Sequence, residues 1–70
     1  MEEYFTNLRF TEREKELLEC IRTGKDNKAI AEALGLSIRT IESYRSKLLA
    51  KTISNNSAHL VHRSHEYGWV

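Results

Sequence analysis

The sequence predicts an all-α fold, and three of its features lead to that class. Its 70 residues include no proline and only three glycines, so few positions would interrupt a helix. Hydrophobic residues make up 40% of the chain and charged residues 30%, a balance typical of a compact domain. Apolar residues recur at helical spacing between residues that cap helices. A chain of this length can build one small core but no enclosed active-site cavity of ordinary size.

The composition also excludes several classes of protein. Cys20 is the only cysteine, so no disulfide can form within the chain, and no Cys/His spacing suggests a zinc site. We interpret Cys20 as an inert buried thiol rather than a redox sensor. No apolar run approaches the roughly 20 residues that span a bilayer, and the acidic start of the chain is unlike a signal peptide. These observations favour a cytoplasmic protein without a metal, a cofactor or a membrane contact.

The distribution of charge is more informative than its sum. The net charge is only +1. Residues 25–51 nevertheless contain six basic and three acidic side chains, whereas residues 1–24 contain four basic and six acidic ones. The middle of the chain is therefore locally basic.

The first predicted helix begins at Thr11, which forms an S/T-x-x-E capping box with Glu14. Gly24 supplies a left-handed residue that ends the helix. Its apolar stripe consists of Leu17, Leu18 and Ile21.

The next two predicted helices follow closely. Asp26 is the N-cap of the second helix, which ends at Gly35, and Ser37 is the N-cap of the third. Each helix has one apolar face. The inner residues of the two helices are Ile30, Ala31, Leu34, Ile38, Ile41, Leu48 and Leu49.

A fourth helix is predicted near the end of the chain. Residues 55–57, with the sequence Asn-Asn-Ser, indicate a turn and a cap before a helix over about residues 58–67 that ends at Gly68. Trp69 is expected to fold back on the core. The expected inner contacts of the helix are Leu60, Val61 and Tyr67.

Residues 27–47 have the layout of a helix-turn-helix. Ala31 is small where the two helices would cross closely, and Gly35 permits the backbone angle of the turn. Ile41 points back from the second helix of the pair. An ordinary helical hairpin is the alternative, but it would not require a polar, basic outer face on its second helix. We therefore predict a four-helix domain that contains a helix-turn-helix.

The order of these residues resembles the LuxR/FixJ/GerE-type DNA-binding domain over about residues 10–69. The resemblance implies such a domain at residues 10–70, preceded by an N-terminal extension at residues 1–9. It also implies that the third helix enters a DNA major groove and that the fourth helix mediates dimerisation. The matching stretches are residues 10–18, Gly24, residues 27–31, 34–37 and 40–48, and Lys51.

The resemblance also assigns roles to individual residues. In the family, the positions of Glu42, Ser43 and Ser46 face base edges, and Glu42 could accept a hydrogen bond from a cytosine amino group. Basic side chains of the third helix suit phosphate oxygens, and the start of that helix offers N–H donors to a phosphate. The predicted DNA-binding residues are Asn27, Lys28, Ser37, Arg39, Thr40, Glu42, Ser43, Arg45, Ser46 and Lys47.

Structural alternatives exist for several of these residues. Glu42 could form an ion pair with Arg39 or Arg45 on the helix surface, and Lys47 and Lys51 could belong to a solvated face.

Three residues depart from the family pattern. Tyr44 stands where many relatives have histidine, Thr52 where they usually have leucine, and Ile53 where they often have glycine. The last two put the conformation of the loop after the third helix in doubt.

Three histidines recur every three residues on the fourth helix. They could bind a metal or respond to pH across a dimer interface, but no carboxylate or cysteine nearby completes a ligand set. We interpret this stripe, formed by His59, His62 and His65, as a partly exposed polar face. The predicted dimerisation residues are Val61, His62 and His65.

The start of the chain is unusually apolar. We expect Tyr4, Phe5, Leu8 and Phe10 to cover the core from outside. Contact with a further domain or a second subunit is the alternative.

The predicted function is a sequence-specific transcriptional regulator that binds double-stranded DNA as a homodimer. It would be a cytoplasmic, nucleoid-associated protein encoded by a bacterium or a phage. The chain would be either a stand-alone regulator, which Met1 favours, or the C-terminal domain of a longer protein. The alternative function is a protein-interaction module that binds another regulator or RNA polymerase, which the small net charge and the acidic first helix favour. A structural helical bundle is a third interpretation. No nucleophile–base pair, paired carboxylates or glycine-rich phosphate loop supports an enzyme.

Overall fold

A computed structural model of the chain describes residues 2–69 and contains five α-helices over that range. They are α1 (Glu2–Thr6), α2 (Glu12–Arg22), α3 (Asn27–Leu34), α4 (Ile38–Lys51) and α5 (Ser57–Tyr67). The all-α prediction is confirmed, and the four predicted helices correspond to α2–α5. The short helix α1 was not predicted; it lies in the segment that the sequence analysis assigned to an extension. None of the helices in residues 2–69 has the length and apolar character that crossing a membrane requires.

Side-chain caps set the starts of the four longer helices, as predicted. The Thr11 hydroxyl accepts a hydrogen bond from the Glu14 backbone N–H at 3.1 Å, and the Thr11 N–H donates to the Glu14 carboxylate at 2.8 Å. Asp26 accepts from the N–H three residues later at 2.8 Å, and Ser37 does the same at 3.1 Å. Asn56 caps α5 in the same way. Each cap satisfies an N–H that the helix itself cannot pair, so the start of each helix is encoded locally.

The turn between α3 and α4 depends on Gly35. Its φ of 68° lies in the left-handed region, where a side chain is unfavourable. An added Cβ would meet nothing within 4 Å, so the requirement for glycine comes from the backbone angle and not from crowding. The N–H of Leu36 donates to the carbonyl of Ala31 at 2.9 Å and closes the end of α3. The chain can therefore reverse into α4 within three residues.

One buried cluster holds α2–α5 together. Helix α3 packs directly against α4, and α2 contacts α3, α4 and α5. Most of the predicted inner residues are buried or half-buried, but the prediction is wrong for Ile38, which is 46% exposed because it is the first residue of α4 and does not reach the core cluster. The buried apolar residues of the cluster are Leu17, Leu18, Ile21, Ile30, Ala31, Ile41, Leu48 and Leu60.

The N-terminal aromatic residues pack on the outside of this core. Phe5 is buried and lies against the rings of Tyr67 and Trp69, with centroid distances of 5.2 and 6.2 Å. The indole N–H of Trp69 donates to the Phe5 carbonyl at 3.0 Å, and the Tyr4 hydroxyl donates to the Lys51 carbonyl at 2.6 Å. Residues 4 and 5 therefore cover the ends of α4 and α5, which agrees with the expectation that the apolar start covers the core.

The end of α4 shows how the chain accommodates two departures from the family pattern. Thr52 is fully buried, and its hydroxyl donates to the Leu48 carbonyl at 2.8 Å, so the polar group is satisfied. Ile53 has a φ of 51° and is the only non-glycine residue among those described with a positive φ. The N–H of Ser54 donates to the Leu49 carbonyl at 2.9 Å, which completes a helix end that normally uses glycine. The loop therefore has the left-handed backbone conformation that glycine usually adopts at a helix end, and this conformation strains the β-branched Ile53.

Replacing Ile53 with glycine should therefore stabilise the protein. The left-handed conformation costs a residue with a Cβ about 1–2 kcal/mol, and Ile53 is 46% exposed, so few contacts would be lost. We expect Ile53→Gly to raise the free energy of unfolding by about 1 kcal/mol in urea titrations, whereas Ile53→Val should give no gain. A decrease for Ile53→Gly would show that the strain is absent.

Candidate nucleic-acid interface

Helix α4 presents one face to the core and the other to solvent. Ile41 and Leu48 are fully buried, with exposures of 0% and 1%, and they point towards α2 and α3. The opposite face carries polar and basic side chains, all of them exposed. These side chains, which include five of the predicted DNA-binding residues, belong to Arg39, Glu42, Ser43, Ser46 and Lys47.

The exposed side chains occupy a continuous strip along α4. Successive residues of an α-helix are separated by about 100°, so Arg39, Glu42, Ser43 and Ser46 lie near the middle of the strip and Lys47 at one edge. No described residue forms an ion pair with Glu42, so the alternative of a surface pair with Arg39 or Arg45 is not what the structure shows. Glu42, Ser43 and Ser46 are therefore free to meet a ligand.

Arg45 lies at the other edge of the strip and is held by neighbours within the protein. Its Nη1 donates to the Asn27 side-chain oxygen at 2.8 Å, and its Nε donates to the Ser57 hydroxyl at 3.0 Å. Nη2 donates to the same hydroxyl. Arg45 thus connects the starts of α3 and α5 to α4. Three of its five N–H groups are used, which leaves one on Nη1 and one on Nη2 for an external acceptor.

The start of α4 and the start of α3 hold the remaining predicted residues. Ser37 is exposed, and its hydroxyl donates to the Thr40 hydroxyl at 2.8 Å while it also caps the helix. Thr40 is half-buried. Lys28 is exposed in the first turn of α3, beside the half-buried Asn27. These side chains lie at two helix starts, where backbone N–H groups point outward.

The predicted dimerisation residues share α5 but differ in exposure. His62 and His65 are exposed, whereas Val61 is half-buried and packs against the protein's own core. His59 is half-buried, and its Nδ1 accepts a hydrogen bond from the Asn55 N–H at 3.1 Å. No cluster of three or more metal-ligating side chains occurs within residues 2–69.

Sequence reasoning missed one member of this surface. Ser57 was expected only to contribute to a turn and a cap, yet it accepts two hydrogen bonds from Arg45 across 12 residues of sequence. Nothing in the local pattern signals that contact, because it depends on how α5 packs beside α4. Asn27 was predicted as a DNA-binding residue, and in the structure its side chain also accepts a hydrogen bond from Arg45.

Comparison with known proteins matches the chain to one family. Residues 8–64 match the model of GerE, described as bacterial regulatory proteins of the luxR family. The transcriptional regulatory protein DesR of Bacillus subtilis is 41% identical over 59 residues, which cover 84% of this chain and 30% of DesR. The response regulator Rre1 of Synechocystis is 39% identical over 61 residues, 87% of this chain and 26% of Rre1. The transcriptional regulatory protein FixJ of Azorhizobium caulinodans is 46% identical over 41 residues, 59% of this chain and 19% of FixJ. The chain spans less than a third of the length of these relatives.

The hydrogen bonds of Arg45 should contribute measurably to stability. We expect Arg45→Ala to lower the free energy of unfolding by about 1–3 kcal/mol, because it removes three donors and leaves two half-buried acceptors unpaired. The neighbouring exposed Lys47→Ala is the matched control and should change stability by less than about 0.5 kcal/mol. In a double-mutant cycle, Arg45→Ala and Ser57→Ala should be less than additive. Equal, small effects of Arg45→Ala and Lys47→Ala in urea titrations would contradict this role.

Proposed function

Because the chain belongs to the luxR family of bacterial regulatory proteins, we propose that it binds double-stranded DNA sequence-specifically and regulates transcription. Helix α4 enters the major groove. The observation that carries this proposal is the exposed polar strip of α4, which is backed by the buried Ile41 and Leu48. A major groove about 12 Å wide admits a helix of about 10–12 Å diameter. The protein would act in the cytoplasm, in association with the nucleoid, and as a regulator rather than an enzyme.

The middle of the strip supplies the groups that read bases. The Glu42 carboxylate accepts hydrogen bonds only, so it suits a cytosine amino group in the major groove. Ser43 and Ser46 can donate or accept and can approach closely because they are short. We therefore assign most of the sequence preference to Glu42.

The edges of the strip and the two helix starts supply contacts to phosphates. Arg39 and Lys47 are exposed and basic, and Lys28 extends from the first turn of α3. The hydroxyls and N–H groups near Ser37 and Thr40 suit a phosphate at the start of α4. The two unused N–H groups of Arg45 would meet a phosphate in a direction fixed by Asn27 and Ser57. Such contacts set the register of the protein on DNA without reading sequence.

Dimerisation through α5 is the second part of the proposal. A single module of this kind buries on the order of 600–1,000 Å² on DNA, so one copy would bind weakly. The exposed His62 and His65 and the half-buried Val61 lie on a side of α5 that could meet a second copy. Two copies on half-sites about one helical turn apart would gain affinity because the second contact is intramolecular.

A protein-interaction module is the second candidate. The observation that favours it is the acidic N-terminal third, with six acidic and four basic residues in positions 1–24. Such a surface would be suited to a basic partner, either another regulator or RNA polymerase. Binding to a partner protein with no salt-dependent binding to DNA would support this candidate.

Variants of α4 should separate base reading from phosphate contact. On a duplex obtained by selection from random DNA, we expect Glu42→Gln to change the preferred base at one position, a change of about 1–3 kcal/mol in discrimination. Lys47→Ala should weaken binding to all sequences alike and reduce the salt slope by about 0.9. Lys15 is exposed on α2, and Lys15→Ala is the control, which should retain the wild-type salt slope. Fluorescence anisotropy at several salt concentrations measures both quantities, and identical effects of Glu42→Gln and Lys47→Ala would contradict the division of roles.

A charge on α5 should prevent dimerisation. His62→Asp would place like charges near each other in a symmetric pair, so we expect the complex with a two-half-site duplex to contain one protomer instead of two. Asn55→Asp adds the same charge in the preceding loop and should leave two protomers bound. Sedimentation velocity gives the masses, and an unchanged mass for His62→Asp would argue against an interface on this side of α5.

A further inference from the structure

An open cleft separates the start of α2 from one edge of the exposed strip on α4. Its volume is about 270 Å³. The half-buried Tyr44 contributes an aromatic ring above the buried Leu17, and Arg13 and Lys47 contribute positive charge. The remaining lining residues are Thr11 and Glu14. Neither Arg13 nor Tyr44 is among the DNA-binding residues predicted from the sequence.

The charges around the cleft favour an anion. Lys47 is exposed and forms no ion pair within residues 2–69. Arg13 lies 4.0 Å from the Glu16 carboxylate, and both side chains are about half exposed, so this pair is weak and the guanidinium can turn to another acceptor. Tyr44 lines the cleft, and its phenol hydroxyl can serve as a hydrogen-bond donor.

The one acidic residue of the cleft, Glu14, is paired with a basic residue of the same chain. The Glu14 carboxylate accepts hydrogen bonds from the Thr11 N–H at 2.8 Å and from the Lys51 ammonium at 2.9 Å. Burial alone would raise its pKa, but these hydrogen bonds and the Lys51 charge outweigh burial and lower it. Glu14 is therefore a charged residue whose charge is compensated by Lys51, and it opposes an anion in the cleft only weakly.

The position of the cleft identifies which anion it would meet. Tyr44 and Lys47 belong to α4, and they lie on the side of its exposed strip that is nearest α2. Arg45, with Asn27 and Ser57, lies on the other side. A helix in a major groove has a sugar–phosphate backbone along each of its two sides. The two sides of α4 would therefore face different strands.

We propose that the cleft binds the sugar–phosphate backbone of one DNA strand, with Arg13 and Tyr44 as phosphate-contacting residues in addition to Lys47. This inference rests on the proposed function. The Tyr44 ring receives the edge of a deoxyribose, and the Arg13 guanidinium binds a phosphate oxygen. Helix α2, which a helix-turn-helix needs only as support, thereby becomes part of the DNA-binding surface.

The test compares two variants of α2 that change charge equally. Arg13→Gln removes the proposed contact. Lys15→Gln removes a positive charge that forms an ion pair with Glu12 at 3.6 Å and does not line the cleft. The salt slope of binding is measured with the full chain on both a selected and an unrelated duplex. We expect Arg13→Gln to reduce the slope by about 0.9 and to weaken binding to both duplexes by the same factor. Lys15→Gln should retain the wild-type slope.

Tyr44→Phe provides a second readout, since it retains the ring and removes only the hydroxyl. We expect it to weaken binding to both duplexes several-fold with its slope unchanged, because no charge is lost. Circular dichroism shows that each variant is folded. If Arg13→Gln has the same salt slope as Lys15→Gln, the inference about the cleft is wrong. The proposed function would still stand in that case if the base preference of binding depends on Glu42. If the wild-type chain shows no salt-dependent binding to any duplex, the proposed function itself fails.

Discussion

The packing of α3 against α4 is the constraint on which the rest of the structure depends. Ile30 and Ala31 on one helix and Ile41 and Leu48 on the other are buried in the same core. Burying a large aliphatic side chain contributes about 1.5–3 kcal/mol, so α4 cannot rotate about its axis without exposing Ile41 and Leu48 at a cost comparable to much of a small domain's stability. The polar strip of α4 is consequently fixed on the outside. The turn at Gly35 makes this arrangement compatible with three connecting residues.

Two side-chain networks outside the core hold the edges of α4. On one side, Arg45 connects to Asn27 and Ser57, so the starts of α3 and α5 are positioned relative to the strip. On the other, Lys51 donates to Glu14 and lies 4.9 Å from the centre of the Phe10 ring, which connects the end of α4 to the cap of α2. Because both networks attach to α4, a ligand on the strip would contact a surface that is already ordered. That reduces the entropy cost of binding.

The sequence was sufficient for features that arise from local chemistry. The caps at Thr11, Asp26 and Ser37 and the left-handed Gly35 could be predicted because each needs only residues three or four positions apart. The apolar stripes predicted most of the buried residues for the same reason, with the exposed Ile38 as the exception. The helical pattern of the N-terminal segment was too short to recognise, since α1 has only five residues and is stabilised by the distant Tyr67 and Trp69.

Long-range contacts of polar residues could not be predicted in this way. Arg45 and Ser57 are twelve residues apart, and Lys51 and Glu14 are 37 apart, so only the packing of the helices reveals their hydrogen bonds. The sequence placed Arg45 among phosphate-binding residues and gave no indication of its internal partners. The left-handed conformation of Ile53 was not predicted either: the sequence only put the conformation of this loop in doubt, because a β-branched residue disfavours a positive φ. The conformation of such residues is determined by how the helices pack and not by the local sequence.

The central claim is that the polar strip of α4 stands free of the protein and is the surface that meets DNA. Amide and side-chain chemical shifts of the labelled chain, followed during titration with a selected duplex, test it most directly. The account predicts that the largest changes map to the start of α3 and to residues 37–47, with Ile41 and Leu48 remaining buried. Chemical-shift changes confined to the acidic surface of α2 would contradict it. Contacts between the side chains of Glu42, Ser43 and Ser46 and the core residues in the free protein would also contradict it.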